Sequence, residues 1–491
     1  MAATDASQTI ALSDALDMQD EVFEMDPVVQ RAAFGATTQH ITRVTDWVAG
    51  SSHRKILKER YSGARVTSSL EADAHSAGQI DVADIEIAET NLRRIGVPLL
   101  RSLVVSAKVD GSQHALFDLA KELVLEGQEA LGEKENFLLN ANGDCVKGTV
   151  SATYDADGTT YSGTNTTAFI KLATGSISSF APGEYIHIRA ASDNDNARCL
   201  AKVEDVIYDE YFNQLNIGPG IVVTLKTSGP NGGTVTEADS NLDNVAAGDE
   251  IVASGEKAYN FPAAFGALCN DAAWGTYFGV DRTAVSNAYL QPIVRHWDSL
   301  GTGLGTATAL DVDAHMGAFV KSFARMLSGS RNYRRNHGFA LTDAIVCQAH
   351  PDLCVEFARQ CGDSSARFTL KMASDLSEAA RQNLVAVKGW DGAVLRTPLT
   401  TIPKIALQEE PLMSPGTFRI FEPSCMEKIR MGGRAIKWLP NAAGGYWHNR
   451  SSTSTGNLTV SVQAFGYVME TFFCDQPRLV TQHDGLKDSL S

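Results

Sequence analysis

Asp311, Asp313 and His315 are the residues whose types and spacing first suggest chemistry, two carboxylates and an imidazole in close succession that could hold a metal. They fall in the first turn of an expected helix, where acids complement the positive end of the helix dipole, and capping is the better reading. Asp155-Ala-Asp157-Gly158 and Asp193-Asn-Asp195-Asn196 look like the openings of calcium loops. Neither runs on to the glutamate that closes such a loop, and turns between strands explain both. Gly301-Thr-Gly303-Leu-Gly305 has the wrong spacing for a dinucleotide cradle and follows no clear strand, so a flexible connector is expected there. Ser52-His-Arg-Lys55 pairs a serine with a lysine but has no companion motif. No nucleophile–base pair can be named. The expectation is a protein that is not an enzyme and uses neither metal nor cofactor.

The remaining reactive side chains point the same way. Cys145, Cys199, Cys269, Cys347, Cys354, Cys361, Cys425 and Cys474 are scattered, with neither zinc spacing nor a disulfide framework, and are expected as buried free thiols. Arg331, Arg334, Arg335 and His337 close an expected helix, where cations are favoured; contact with phosphate or with another subunit is the alternative. The net charge of −16 argues against a dedicated nucleic-acid binder but not against a wall that encloses nucleic acid without gripping it. The amino-terminal segment lacks the basic flank and apolar core of a signal peptide, no apolar run reaches the ~20 residues that cross a bilayer, and a cytoplasmic origin is expected.

These residues must be positioned by several units, because 491 residues with 44% hydrophobic side chains suit two to four domains. Residues 1–30 carry seven acids and no Lys or Arg, too apolar-poor to form a core, and read as a tail or an arm that orders on a neighbour. Extended stretches at Ala64–Ser69 and Asp81–Ala88 suggest a long hairpin within 31–100, a region that also holds the basic run His53–Arg60. Such a hairpin is marginal alone and needs a surface to lie on. Leu116, Leu119, Leu123, Ala130 and Leu131 set one narrow apolar stripe on a helix from Gln113 to about Asn140, capped by Ser112 and on the order of 40 Å long. Residues 145–258 alternate short β-rich runs (Thr149–Tyr154, Tyr185–Ala190, Leu200–Tyr208, Ile221–Thr227, Glu250–Ala253) with turn residues, the pattern of a small antiparallel barrel or sandwich. Beyond it, helices at about Leu310–Leu327, Pro351–Gln360 and Ser374–Leu384 are expected. Strands are expected at Asp343–Gln348, Ala393–Thr397, Ile405–Gln408, Phe418–Phe421, Ala435–Trp438 and Leu458–Phe472. The chain is α+β.

The segment Tyr259–Pro292 contains Gly275-Thr-Tyr-Phe-Gly-Val-Asp-Arg282, which resembles a signature of tailed-phage major capsid proteins with the Hong Kong 97 fold. The closing run Phe465–Val480 is similar to that family's return to its peripheral domain. The resemblance implies an amino-terminal arm (1–30), an extended hairpin loop (31–100), a peripheral domain with a spine helix (101–144, continued at 259–305 and 446–491) and an axial domain (306–445). Residues 145–258 would be an inserted β domain. It implies self-assembly as hexamers and pentamers into an icosahedral shell around double-stranded DNA, located in the virion after assembly in the host cytoplasm. A separate scaffolding protein, a portal and a decoration protein are the implied partners. Arg54, Lys55, Lys58 and Arg60 on the hairpin are expected to contact neighbouring subunits. An encapsulin-like compartment and a β-rich surface-binding or adhesion protein are the alternatives.

Overall fold

The computed structural model describes residues 37–47, 53–58, 85–90, 93–102, 113–191, 197–208, 218–226, 242–326, 345–360, 394–395, 405–431, 437–439, 448–452 and 459–487, the longer ranges with short breaks. The expected amino-terminal arm, the run Ala64–Ser69, the helix Ser374–Leu384, the cap Ser112 and the basic cluster Arg331–His337 lie outside the described residues. Strands β1 (Val44–Trp47), β2 (His53–Lys58), β3 (Ile85–Thr90) and β4 (Arg93–Ser102) precede the helix α1 (Gln113–Asn140). The barrel strands follow: β5 (Gly148–Tyr154), β6 (Thr167–Thr174), β7 (Tyr185–Arg189), β8 (Ala197–Ile207), β9 (Gly220–Leu225) and β10 (Glu250–Ala253). Next come the short helix α2 (Phe265–Leu268), β11 (Thr276–Tyr277), β12 (Val280–Asp281), β13 (Ile293–His296), β14 (Thr308–Ala309) and β15 (Val346–Ala349). The chain ends with β16 (Val394–Leu395), β17 (Ile405–Glu409), β18 (Phe418–Phe421), β19 (Met426–Met431), β20 (Lys437–Trp438), β21 (His448–Ser452), β22 (Thr459–Cys474), β23 (Val480–Asp484) and β24 (Leu486–Lys487).

Two compact units share the chain. The first gathers Met1–Ser51, Asn91–Leu139 and Glu427–Phe472; the second gathers Ser52–Thr90, Asn140–Met426 and Phe473–Ser491.

In the first unit β22 is the central strand, pairing with β4 over ten positions and also with β20 and β21, while β1 runs parallel to β19. Pro98 sits in β4 opposite Phe465. It is tolerated because, among the described residues, β4 pairs on one side only. The single narrow stripe expected for α1 fails in its last two turns. Ala130 is exposed, whereas Glu135 to Asn140 are all buried, polar residues included. Burial there is offset by pairing. The Glu135 carboxylate lies 3.0 Å from Lys428 Nζ and 3.7 Å from Arg430, and Arg430 Nε donates to Glu470 at 2.7 Å. Asn136 Oδ1 accepts from the backbone N–H groups of Thr37 and Thr38. Nearby, buried Glu427 pairs with Arg43 at 3.1 Å.

In the second unit β10-β5-β6-β9-β8-β7 form a closed barrel. Val150, Ile170, Ile186, Ile188, Val203, Val223 and Ile251 fill its interior. The sequence signalled five of its strands but not β6, Thr-Ala-Phe-Ile-Lys-Leu-Ala-Thr, because Ala168, Phe169 and Ile170 are consecutive and all buried, which hides the alternation. A six-stranded sheet, β13-β23-β18-β15-β17-β16, makes the rest of this unit's core. Phe319 packs at a tilt on Phe418 (4.6 Å) and Phe357 (5.8 Å), and Phe265 packs on Phe421 (4.9 Å). Of the glycine-rich connector expected at 301–305, Gly303 and Leu304 lie outside the described residues; at its ends Asp298 Oδ2 accepts from the N–H groups of Leu300 and Gly305. Asp311 and His315 behave as helix-start residues, Asp311 Oδ1 accepting from Ala314 N and His315 Nδ1 accepting from Asp311 N.

His483 in β23 has no exposed surface, accepts at Nδ1 from Trp297 Nε1 (3.0 Å) and lies edge-on to Phe319 at 4.7 Å. Burial, with Arg295 and His315 nearby, pushes its pKa down to about 3.

Two predictions follow from these buried groups. Because His483 is neutral when folded but titrates near 6.5 when unfolded, stability falls as pH drops below 6.5 towards 3. The loss should approach about 5 kcal/mol, and His483→Phe should flatten that slope in denaturant titrations between pH 7 and 4. Glu135→Ala removes the buried carboxylate that faces Lys428 at 3.0 Å and is expected to cost about 3–5 kcal/mol, read as faster hydrogen exchange of β4 and β22.

Candidate functional site

Gly275–Arg282 folds as a minimal hairpin in which Thr276 pairs with Asp281 and Tyr277 with Val280. Its two turn residues both take positive φ, Phe278 at 48° and Gly279 at 90°. That turn matches the right-handed twist of a tight hairpin. Glycine is at ease in this region, but an aromatic residue is strained and must be held by its surroundings. Phe278 is held: its ring meets Tyr277 at 4.7 Å and Phe473 at 5.0 Å.

Tyr277 is fully buried, and its hydroxyl donates to the carbonyl of Cys474 (2.9 Å) while accepting from the same residue's N–H (2.8 Å). Burial raises the phenol pKa well above its usual value, so the hydroxyl stays protonated. Arg282 is buried against Trp274 and donates to the carbonyls of Leu268 (2.9 Å) and Gly275 (3.2 Å). Asp281 accepts from the N–H and hydroxyl of Thr283, which holds its pKa down. The Asp-Arg pair of the signature is therefore a folding device: one side chain closes the following turn and the other ties the preceding loop.

On this platform stands the hairpin of β2 and β3, paired from His53↔Thr90 to Lys58↔Ile85. The basic run supplies β2, one of its two strands. Its Arg-Lys-Ile-Leu-Lys order does not alternate, and the ladder with β3 from His53 to Lys58 holds it extended. Two contacts fix the hairpin root. Glu89 N donates to Phe278 O at 2.9 Å. Lys55 Nζ lies 2.7 Å from Asp475 Oδ1 and 4.8 Å from the centre of the Phe473 ring. Further along, Ile87 is 55% exposed.

The four basic residues singled out from the sequence thus have different settings. Arg54 is exposed and reaches Glu89 of its own hairpin at 3.7 Å, a separation at which a solvated pair contributes little. Lys55 is turned onto Asp475 within its own subunit. Lys58 ends β2 opposite Ile85, and Arg60 lies outside the described residues. Sequence reasoning missed Tyr277, Phe473 and Asp475 as the seat of the hairpin. The only available signal was the resemblance of both segments to one family.

A cleft of about 930 Å³ also lies in the second unit, bordered by the barrel residues Leu172–Gly175 and by Asp271, His296, His350, Arg419 and Asp484. His296 bridges Asp271 (2.8 Å) and Asp484; burial opposes its charge, but the two carboxylates outweigh this and raise its pKa. Arg419 lies 4.0 Å over Phe265 and donates to Asn140 Oδ1, and burial lowers its pKa to about 10. Among the described residues no group of three or more His, Cys, Asp and Glu is placed to hold a metal. The seven described cysteines are buried free thiols.

No protein-family model matches the chain, and no curated protein is similar to it. The solved structures similar to it are mainly of phage capsids. They include the capsid asymmetric unit of cyanophage A-1(L), 11% identical over 90% of each chain with a TM-score of 0.38. The capsid of Ralstonia phage GP4 is 8% identical over 90% of this chain and 86% of that one, with a TM-score of 0.35. The holo-SrpI encapsulin complex from Synechococcus elongatus is 8% identical over 91% and 85%, with a TM-score of 0.31.

Tyr277→Phe removes a hydroxyl that serves both polar groups of Cys474. The expected cost is about 1–3 kcal/mol, together with faster exchange of the Glu89 amide, measured by thermal unfolding and hydrogen exchange.

Proposed function

We propose that the chain is a major capsid protein of a tailed phage, with the Hong Kong 97 fold, whose copies build the shell around double-stranded DNA. The observation that carries this reading is the hairpin β2–β3. It is pinned at its root by Lys55 and Glu89, yet it presents Ile87 and Arg54 to the outside. A two-stranded hairpin is marginally stable by itself and needs a surface to lie on. A neighbouring copy is the surface a shell provides. On this reading residues 31–100 form the extended loop, α1 is the spine of the peripheral domain (101–144, 259–305 and 446–491), 306–445 form the axial domain, and the barrel is an insertion. Hexamers and pentamers form in the host cytoplasm with a separate scaffolding protein, then join a portal and, where present, a decoration protein. The protein is structural and carries no catalytic role.

Arg54, Lys58 and Arg60 remain the residues proposed to meet neighbouring subunits, while Lys55 acts from within. Arg54→Glu should leave circular dichroism and melting temperature nearly unchanged but reduce the yield of particles seen by electron microscopy. Lys55→Glu sets an acid against Asp475 and should instead lower the melting temperature. Normal particle yield from Arg54→Glu together with Ile87→Asp would overturn the assembly role of the hairpin. Shells that protect DNA from nuclease support a phage capsid, and shells filled with protein cargo favour an encapsulin-like compartment.

A further inference from the structure

Cys425 and Cys474 are both fully buried, and their sulfur atoms lie 3.7 Å apart, Cys474 Sγ donating to Cys425 Sγ. The backbone N–H of Asp475 donates to the carbonyl of Cys425 at 2.8 Å, so the two chains run side by side. Hydrogen-bonded neighbouring strands are about 5 Å apart, within the range of Cα separations that a disulfide bridges. The position in the chain is equally specific. The second unit's chain is left after Met426 and rejoined at Phe473, so the two cysteines bracket the whole excursion Glu427–Phe472.

We propose that Cys425 and Cys474 are a latent disulfide site, which closes the excursion Glu427–Phe472 into a covalent ring when the protein meets an oxidant. With hydrogen peroxide as the oxidant, the two thiols lose two electrons and two protons, the S–S bond forms, the peroxide O–O bond breaks, and two waters leave. The sulfur atoms need to approach by less than 2 Å, which side-chain rotation and a small backbone shift supply. Burial keeps Cys425 protonated and shielded from solvent. The reaction is therefore slow in the intact fold and proceeds through transient opening of this region. The bond constrains the unfolded chain over a long loop, so its formation stabilises the fold.

The test is to treat the purified full-length protein with hydrogen peroxide, alkylate the remaining thiols after unfolding, and map the peptides by mass spectrometry. The expected result is a fall from eight free thiols to six, a Cys425–Cys474 linked peptide, and a melting temperature higher by about 5 °C that dithiothreitol reverses. Cys425→Ala and Cys474→Ala should each abolish the rise. Should either variant fail to fold, the peptide map of the unaltered protein decides by itself. A link between other cysteines, such as Cys269 with Cys474, or bonds only between chains, overturns the proposal. So does retention of all eight thiols under conditions that oxidise the unfolded chain.

Discussion

One hydroxyl constrains much of this molecule. By meeting both the N–H and the C=O of Cys474, Tyr277 fixes where the end of β22 lies relative to the signature hairpin. That fixes the Phe473 ring against Phe278, which in turn keeps an aromatic residue in a backbone conformation it would otherwise avoid. The strained turn aims the Phe278 carbonyl at Glu89, and Phe473 and Asp475 receive Lys55. The two-stranded element β2–β3 acquires fixed contacts at its base in this way, which its own pairing could not provide.

Charge is handled in two contrasting manners. Inside, buried ions among the described residues are paired, for example Glu135 with Lys428 and Arg430, Arg430 with Glu470, and Arg419 with Asn140, Gln482 and the Phe265 face. Such groups add little net stability compared with apolar packing, but removing one partner is severe, so they favour a single arrangement of helix and strands. The chain nevertheless carries a net charge of −16, and copies that meet repel one another until salt screens them or basic patches meet acidic ones.

Much of this was readable from residue order. The limits of α1, the strands β10 and β18 and the β-rich character of 145–258 follow from periodicity and turn residues that agree with their surroundings. The misreadings have physical causes. The strand β6 buries three consecutive residues, so it shows no alternation. The end of α1 is surrounded by protein, so Glu135 and Asn136, which lie off the expected apolar stripe, are core residues with distant partners. The Lys55–Asp475 pair spans almost the whole sequence, and nothing local in the basic run foretells that one lysine turns inward while its neighbour Arg54 stays outside.

The barrel starts and stops at the same place. Gly148 and Thr149 are laddered directly to Ile251 and Glu250, and Lys147 N donates to Ile251 O, so its entrance and exit are neighbours in space. Its closed circle of strands leaves no unsatisfied margin for the surrounding protein to cover. Such a module can be exchanged, trimmed to a short turn or replaced by a foreign domain with close-set termini. Evolution or an engineer can therefore redecorate this protein at that point without redrawing the rest.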